Sequence, residues 1–196
     1  GTLDINGGTV NVAGRLEVSG GIADISGGAL NLNTVGHSSS TIGTLDLSPA
    51  SDFTMTAGTI NFVNPAGSGR YDVLIEDGGT KNFAGNLHFG TSAAETFKIF
   101  SEIPFPDYSV DSNTSILLEL QVSSDGTYSF PFVDGSGNTI DASVTLNSGT
   151  IGTDATIQIE TTGSKHPDNA SSTNYLNRYW TITTTNITSP DYDVTV

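Results

Sequence analysis

"GTLDINGGTVNVAGRLEVSGGIADISGGALNLN", residues 1–33, sets how the rest of the chain is read. Apolar pairs recur in it: Leu3/Ile5, Val10/Val12, Leu16/Val18, Ala23/Ile25 and Leu30/Leu32. One residue separates the members of each pair, and it is Asp4, Asn11, Glu17, Asp24 or Asn31. Such period-two alternation is the mark of a β-strand with one buried face. The pairs start at residues 3, 10, 16, 23 and 30, so three steps advance the chain by 20 residues, from Leu3 to Ala23 and from Val10 to Leu30. This predicts a right-handed, three-sided parallel β-helix of about 20 residues per coil, its apolar ladders inside. Gly7-Gly8, Gly20-Gly21 and Gly27-Gly28 fall between the pairs, where corners need positive φ and close backbone approach. A row of antiparallel hairpins would also use Gly-Gly turns; the 20-residue super-period favours stacked coils.

The rhythm breaks at residues 33–43 and 64–69, which read as loops, and resumes between and after them. Leu45/Leu47, Phe53/Met55, Ile60/Phe62, Tyr71/Val73/Ile75, Phe83 and Leu87/Phe89 carry it forward, and "NFAGNLHFG" (82–90) echoes "NVAGRLEVSG" (11–20). After residue 122 the texture changes. Turn chemistry appears at Asp125-Gly126, Asp134-Gly135, Asn147-Ser148-Gly149 and Thr162-Gly163, the spacing of a small antiparallel β-sandwich. The reading is therefore all-β, with a helical repeat region over 1–122 and a sandwich domain over 123–196. Tyr179 and Trp180 are its expected core anchors.

Charge narrows the partners. The 196 residues hold 21 acids and 6 bases, a net charge of -15. A surface without a basic stripe cannot release counterions from nucleic acid and is repelled by anionic membranes. No apolar run approaches the ~20 residues of a membrane helix. Cysteine is absent, so disulfides and thiolate metal sites are out. The chain opens at Gly1 inside a repeat and stops at Val196 inside an alternating run, which reads as a piece of a longer polypeptide.

The solenoid ending in "GGTKNFAGNLHFG" (78–90), followed by "FPFVDGSGNTIDASVTL" (130–146) and "LNRYWTITTTNITSPDYDVTV" (176–196), resembles repeat-rich extracellular proteins of Bacteroidota-type bacteria. Those are long surface or secreted proteins exported by the type IX secretion system. Relatives often join a β-helix stalk to a sandwich carrying a strand like Arg178-Tyr179-Trp180. One departure is the turn at Phe130-Pro131-Phe132-Val133-Asp134-Gly135, where relatives tend to have Phe-Pro-Val-Gly. The resemblance implies an extracellular, cell-surface location and an adhesive or structural role. It carries over no catalytic residues.

Chemistry is sparse. Polysaccharide enzymes built on β-helices need acids clustered with each other or with bases on one face. Here Asp4, Glu17, Asp24, Asp46, Asp52, Asp72, Glu76 and Asp77 are scattered. Asp4 and Asp24 lie one coil apart and are expected to stack; solvated strand positions account for them as well. His37, His88 and His166 share no ligand spacing, and Ser38–Ser40 beside His37 sit in no nucleophile elbow. "DGSGNTID" is the metal candidate: Asp134, Ser136, Asn138 and Asp141 alternate oxygens as calcium loops do. It lacks the glycine and glutamate of such loops, and a hairpin turn between the strands around Phe132 and Val144 explains the same letters. No other cofactor is expected. Thr2, Thr9, Thr44 and Thr59 each follow glycine but form no Thr-x-Thr rows of the ice-binding kind.

The leading expectation is a non-catalytic structural or adhesive segment of a long bacterial surface or fibre protein. Its partners would be neighbouring copies or adjacent domains of the same chain, and surface glycans, with no nucleic acid and no membrane insertion. The alternative is a polysaccharide-binding or polysaccharide-degrading module, with Tyr71, Phe83 and Phe89 as candidate aromatic platforms. An ice-binding domain is the third reading.

Overall fold

The computed structural model describes residues 1–36, 43–67, 69–90, 95–111, 114–133, 138–162, 168–171, 173 and 179–196. These are all-β, in strands, turns and extended connections with no helix among them. In chain order the first strands are β1 (Thr2–Asn11), β2 (Leu16–Val18), β3 (Gly21–Leu32), β4 (Leu45–Leu47), β5 (Ser51–Met55) and β6 (Thr59–Phe62). They continue as β7 (Val73–Ile75), β8 (Lys81–Phe83), β9 (Asn86–Phe89), β10 (Glu95–Ser101), β11 (Tyr108–Val110) and β12 (Thr114–Gln121).

These strands divide between two sheets, and within this part of the chain every pairing is parallel. In one sheet β1 pairs with β3, β3 with β5 and β6, β5 with β8, β6 with β9 and β9 with β11. In the other, β2, β4, β7, β10 and β12 follow one another. The first sheet advances by 20 residues from Leu3 to Ala23, 30 from Leu30 to Ile60, 27 from Ile60 to Leu87 and 21 from Leu87 to Tyr108. The second advances by 29 from Leu16 to Leu45, 28 from Leu45 to Val73, 26 from Val73 to Ile99 and 19 from Phe97 to Ile116. The offset of about 20 thus holds at the two ends and widens in the middle. The reason is chain length: the widened steps contain the connections at 33–43 and 64–71, which lie outside the strands.

Registers place like residues over like. Leu30, Ile60 and Leu87 form one inward column, Leu32, Phe62 and Phe89 the next, and Leu45, Val73, Ile99 and Leu118 a third from the opposite sheet. All of these side chains are at most 1% exposed. Phe62 stacks on Phe89 at 4.4 Å between ring centroids, and Phe97 and Tyr108 close on Phe89 at 5.4 and 5.9 Å. Val10 is the exception among the expected inward residues. It lies on the edge strand β1 and is 39% exposed. The bend within β3 is built on glycine: Gly28 has φ 78°, with Gly8 (72°) and Gly58 (84°) beside it in the neighbouring strand turns. A Cβ on Gly28 would lie 2.5 Å from the Gly8 carbonyl oxygen, so no other residue fits there. Asn33 takes a left-handed φ of 56° at the end of β3, and its Nδ2 donates to the Asn64 carbonyl across 2.8 Å. Asn64 Nδ2 returns the bond to the Asn33 carbonyl at 2.6 Å.

Beyond β12 the pairing turns antiparallel. β13 (Gly126–Val133) pairs with β14 (Thr139–Thr162), β14 with β12, and β15 (Tyr179–Thr195) with β14. The eight-stranded sheet is therefore mixed, and the C-terminal part is β-sandwich-like. β14 corrects one sequence expectation. Asn147-Ser148-Gly149 is not a hairpin turn but an irregular stretch inside a 24-residue strand. Asp154, Asn186 and Ser189 take positive φ in the same region, which lets β14 and β15 bend together. One hydrophobic cluster runs from Ile5 to Ile159, and Trp180 packs against it. Two polar contacts join the parallel and antiparallel parts. Tyr108 Oη donates to the Pro131 carbonyl at 2.6 Å. Glu119 Oε2 accepts from Tyr71 Oη at 2.8 Å and its Oε1 from Thr156 Oγ1 at 2.9 Å.

Candidate functional site

The apolar members of each strand face in, so the residues between them form rows on the outside. One row is continuous in register across five strands: Asn11, Asn31, Asn61, His88 and Ser109. Asn31 Nδ2 donates to Asn11 Oδ1 at 2.6 Å, and Asn61 Nδ2 donates to Asn31 Oδ1 at 2.7 Å. A carboxamide suits this position because it donates and accepts along the same line. Each amide in such a row keeps a second hydrogen and a second lone pair for solvent or a ligand.

The row ends in a cluster the sequence did not show. His88 Nδ1 lies 2.9 Å from Ser109 Oγ, and His88 Nε2 lies 3.6 Å from Asp111 Oδ1. Serine, histidine and aspartate in that order have the composition of a hydrolytic relay. The details differ from one. Ser109 Oγ donates to Asn86 Oδ1 at 3.1 Å, so its single proton goes to an amide. His88 Nδ1 then meets the hydroxyl as a donor, the reverse of a general base. The His88–Asp111 separation is too long for a hydrogen bond that would fix the ring. The arrangement extends the polar row rather than activating a nucleophile. The signal in the sequence is the 21-residue step from His88 to Ser109, one coil at the width of the first.

The carboxylates also follow register. Asp4 and Asp24 are partners across β1 and β3, as the 20-residue spacing predicts. Glu17 and Asp46 are partners across β2 and β4. Burial raises Asp46 from 3.8 to about 6; the neighbouring charges of Glu17 and Glu76 push the same way, against a backbone hydrogen bond from Gly43. Asp46 Oδ2 is buried without a hydrogen-bond partner. Asp72 is buried too, and burial raises it to about 7 although the backbone N–H groups of Lys98 and Ala66 donate to it at 2.9 and 2.7 Å. It pins the 64–71 connection to β10.

Of the metal candidates, Asp134 and Ser136 lie outside the described residues, as do His37, His166 and Arg178. Asn138 directly precedes β14, and Asp141 lies exposed within it, opposite Pro131. β13 and β14 are antiparallel neighbours here, with Phe132 opposite Ile140, as a hairpin requires. Among the described residues, no three histidine or acid side chains are placed to hold a metal ion. Phe89 is fully buried; Tyr71 and Phe83 are half-buried. Thr9 and Thr59 flank Ala29 in register, so that row alternates rather than forming a threonine ladder. No protein-family model, curated protein or solved structure matches the chain.

Proposed function

We propose that this chain is a non-catalytic structural or adhesive segment of a long bacterial surface or fibre protein. In this reading residues 1–122 are a right-handed, three-sided parallel β-helix that acts as a rod, and residues 123–196 are a sandwich packed on its last coil. One observation carries the proposal: both sheets advance by matching steps, coil after coil, with apolar columns filling the space between them. Parallel strands joined by crossovers take the right-handed sense almost always. Each coil would add about 4.8 Å along the axis, so reach grows linearly with the number of coils. An antiparallel cap of β12–β15 would cover backbone groups that an open coil end leaves unpaired. The resemblance to Bacteroidota-type extracellular repeat proteins supports an extracellular location, with neighbouring copies or adjacent domains as partners.

Small-angle scattering combined with an activity screen tests this. The intact chain is expected to scatter as an elongated particle and to turn over none of a panel of plant, algal and bacterial polysaccharides or aryl esters. A globular scattering profile would overturn the rod. Turnover that disappears in Ser109→Ala would overturn the non-catalytic reading.

A further inference from the structure

We infer that Arg70 and Lys98 form a binding site for the carboxylate of an acidic saccharide, on the outward face of the eight-stranded sheet. The chain has 21 acids for 6 bases, so each base is expected to find an acid. Among the described residues two have other partners. Arg15 meets Glu17 at 3.2 Å, and Lys81 Nζ donates to the carbonyls of Ser51 and Gly78. Arg70 and Lys98 make no side-chain hydrogen bond or ion pair, yet both line one cleft of about 180 Å³. The cations converge because the 64–71 connection brings Arg70 beside β10, where Asp72 receives the Lys98 N–H.

The nearby acids are already committed. Both oxygens of Glu119 are taken, by Tyr71 and Thr156, and Asp72 is buried under two backbone N–H groups. Glu160 sits one strand further out, as the register partner of Leu117. The site therefore holds two uncommitted cations, with the other lining groups suited to a sugar. A guanidinium and an ammonium together recognise a carboxylate through charge-assisted hydrogen bonds. Tyr71 and Leu117 offer apolar contact to the C–H face of a ring, and the Gln158 amide pairs with hydroxyls. The volume is below that of drug-sized pockets and admits a single ring. An acidic peptide, dense in charge, would be repelled by a surface of net charge -15, whereas one carboxylate per sugar ring keeps repulsion low.

This site goes beyond the proposed rod and stands or falls separately from it. The test is calorimetric titration of the whole chain with galacturonate, glucuronate and mannuronate trisaccharides, and with the neutral galactose trisaccharide. At least one uronate is expected to bind at least tenfold more tightly than the neutral probe, and added salt should weaken it. Arg70→Gln and Lys98→Gln should each lower the affinity at least tenfold without shifting the melting temperature. No binding of any uronate, equal binding of the neutral sugar, or full affinity in the double variant R70Q/K98Q would overturn the assignment. The scattering profile, by contrast, does not depend on any of these outcomes.

Discussion

Asn31 donates its side-chain amide to Asn11 across 2.6 Å, although the two residues are 20 apart in sequence. Asn61 repeats the contact from the other side at 2.7 Å, over a step of 30. The two spacings differ, but the geometry does not. The chain absorbs the extra residues in its connections and returns each asparagine to the same row. Hydrogen bonds between outward side chains thus report the same register as the buried columns beneath them.

Asn31→Ala should remove both contacts at once. The row is half-exposed, so water replaces part of what is lost. The expected destabilisation is about 1–2 kcal/mol by chemical denaturation. Asn31→Asp keeps an acceptor for Asn61 but cannot donate to Asn11, and should be destabilised further above the carboxyl pKa. A neutral outcome for both variants would show that the row is incidental to the fold.

Gly28 and Gly8 separate two effects of glycine. Both have positive φ, 78° and 72°. An added Cβ on Gly8 meets nothing within 4 Å, whereas on Gly28 it overlaps backbone atoms of Gly7 and Gly8. Gly8→Ala should therefore cost only the left-handed conformation, about 1–2 kcal/mol. Gly28→Ala should cost more than twice that, because the neighbouring strand must move. Urea midpoints of the two variants give the comparison directly.

Much of this was written in the sequence, and the limit has a physical cause. Alternation of Leu3/Ile5 and Ala23/Ile25 fixes which side chains face in, and their 20-residue spacing fixes the β1–β3 register, because the connection between those strands is short. Later registers were not legible. The connections at 33–43 and 64–71 change the step by several residues, and no local pattern encodes how far a loop bulges. The approach of His88 to Ser109 and of Arg70 to Lys98 depends on those steps. The irregular stretch at Asn147-Ser148-Gly149 misled for a related reason. Turn residues also serve bends inside long strands, and only the partner strand β15 distinguishes the two.

Phe89 is the residue on which three rings close, from Phe62, Phe97 and Tyr108. It is fully buried and belongs to the coil that precedes the antiparallel strands. Phe89→Ala should destabilise by about 3–5 kcal/mol. Phe89→Leu, which fills most of the space, should recover a large part of that. Thermal melts of the two variants distinguish a tightly packed column from one that can collapse around the gap.

Two buried carboxyls make stability depend on pH in an unusual direction. Asp46 and Asp72 are raised by burial to about 6 and about 7, from 3.8 in an exposed chain. Between pH 4 and 7 the folded protein therefore holds protons that the unfolded chain has released. Unfolding free energy must then fall as pH rises through this window, the opposite of the behaviour of salt-bridged acids. The two residues should respond differently to amide replacement. Asp46 has an oxygen without a partner, so Asp46→Asn should raise stability at pH 8 and flatten the dependence near pH 6. Asp72 accepts one backbone N–H on each oxygen, and an amide nitrogen cannot accept the second. Asp72→Asn should flatten the profile near pH 7 yet lower stability at every pH, by about 1–3 kcal/mol. Denaturation curves from pH 4 to pH 8 on the parent and both variants measure this; stability that rises with pH across that window would refute the assignment of both groups.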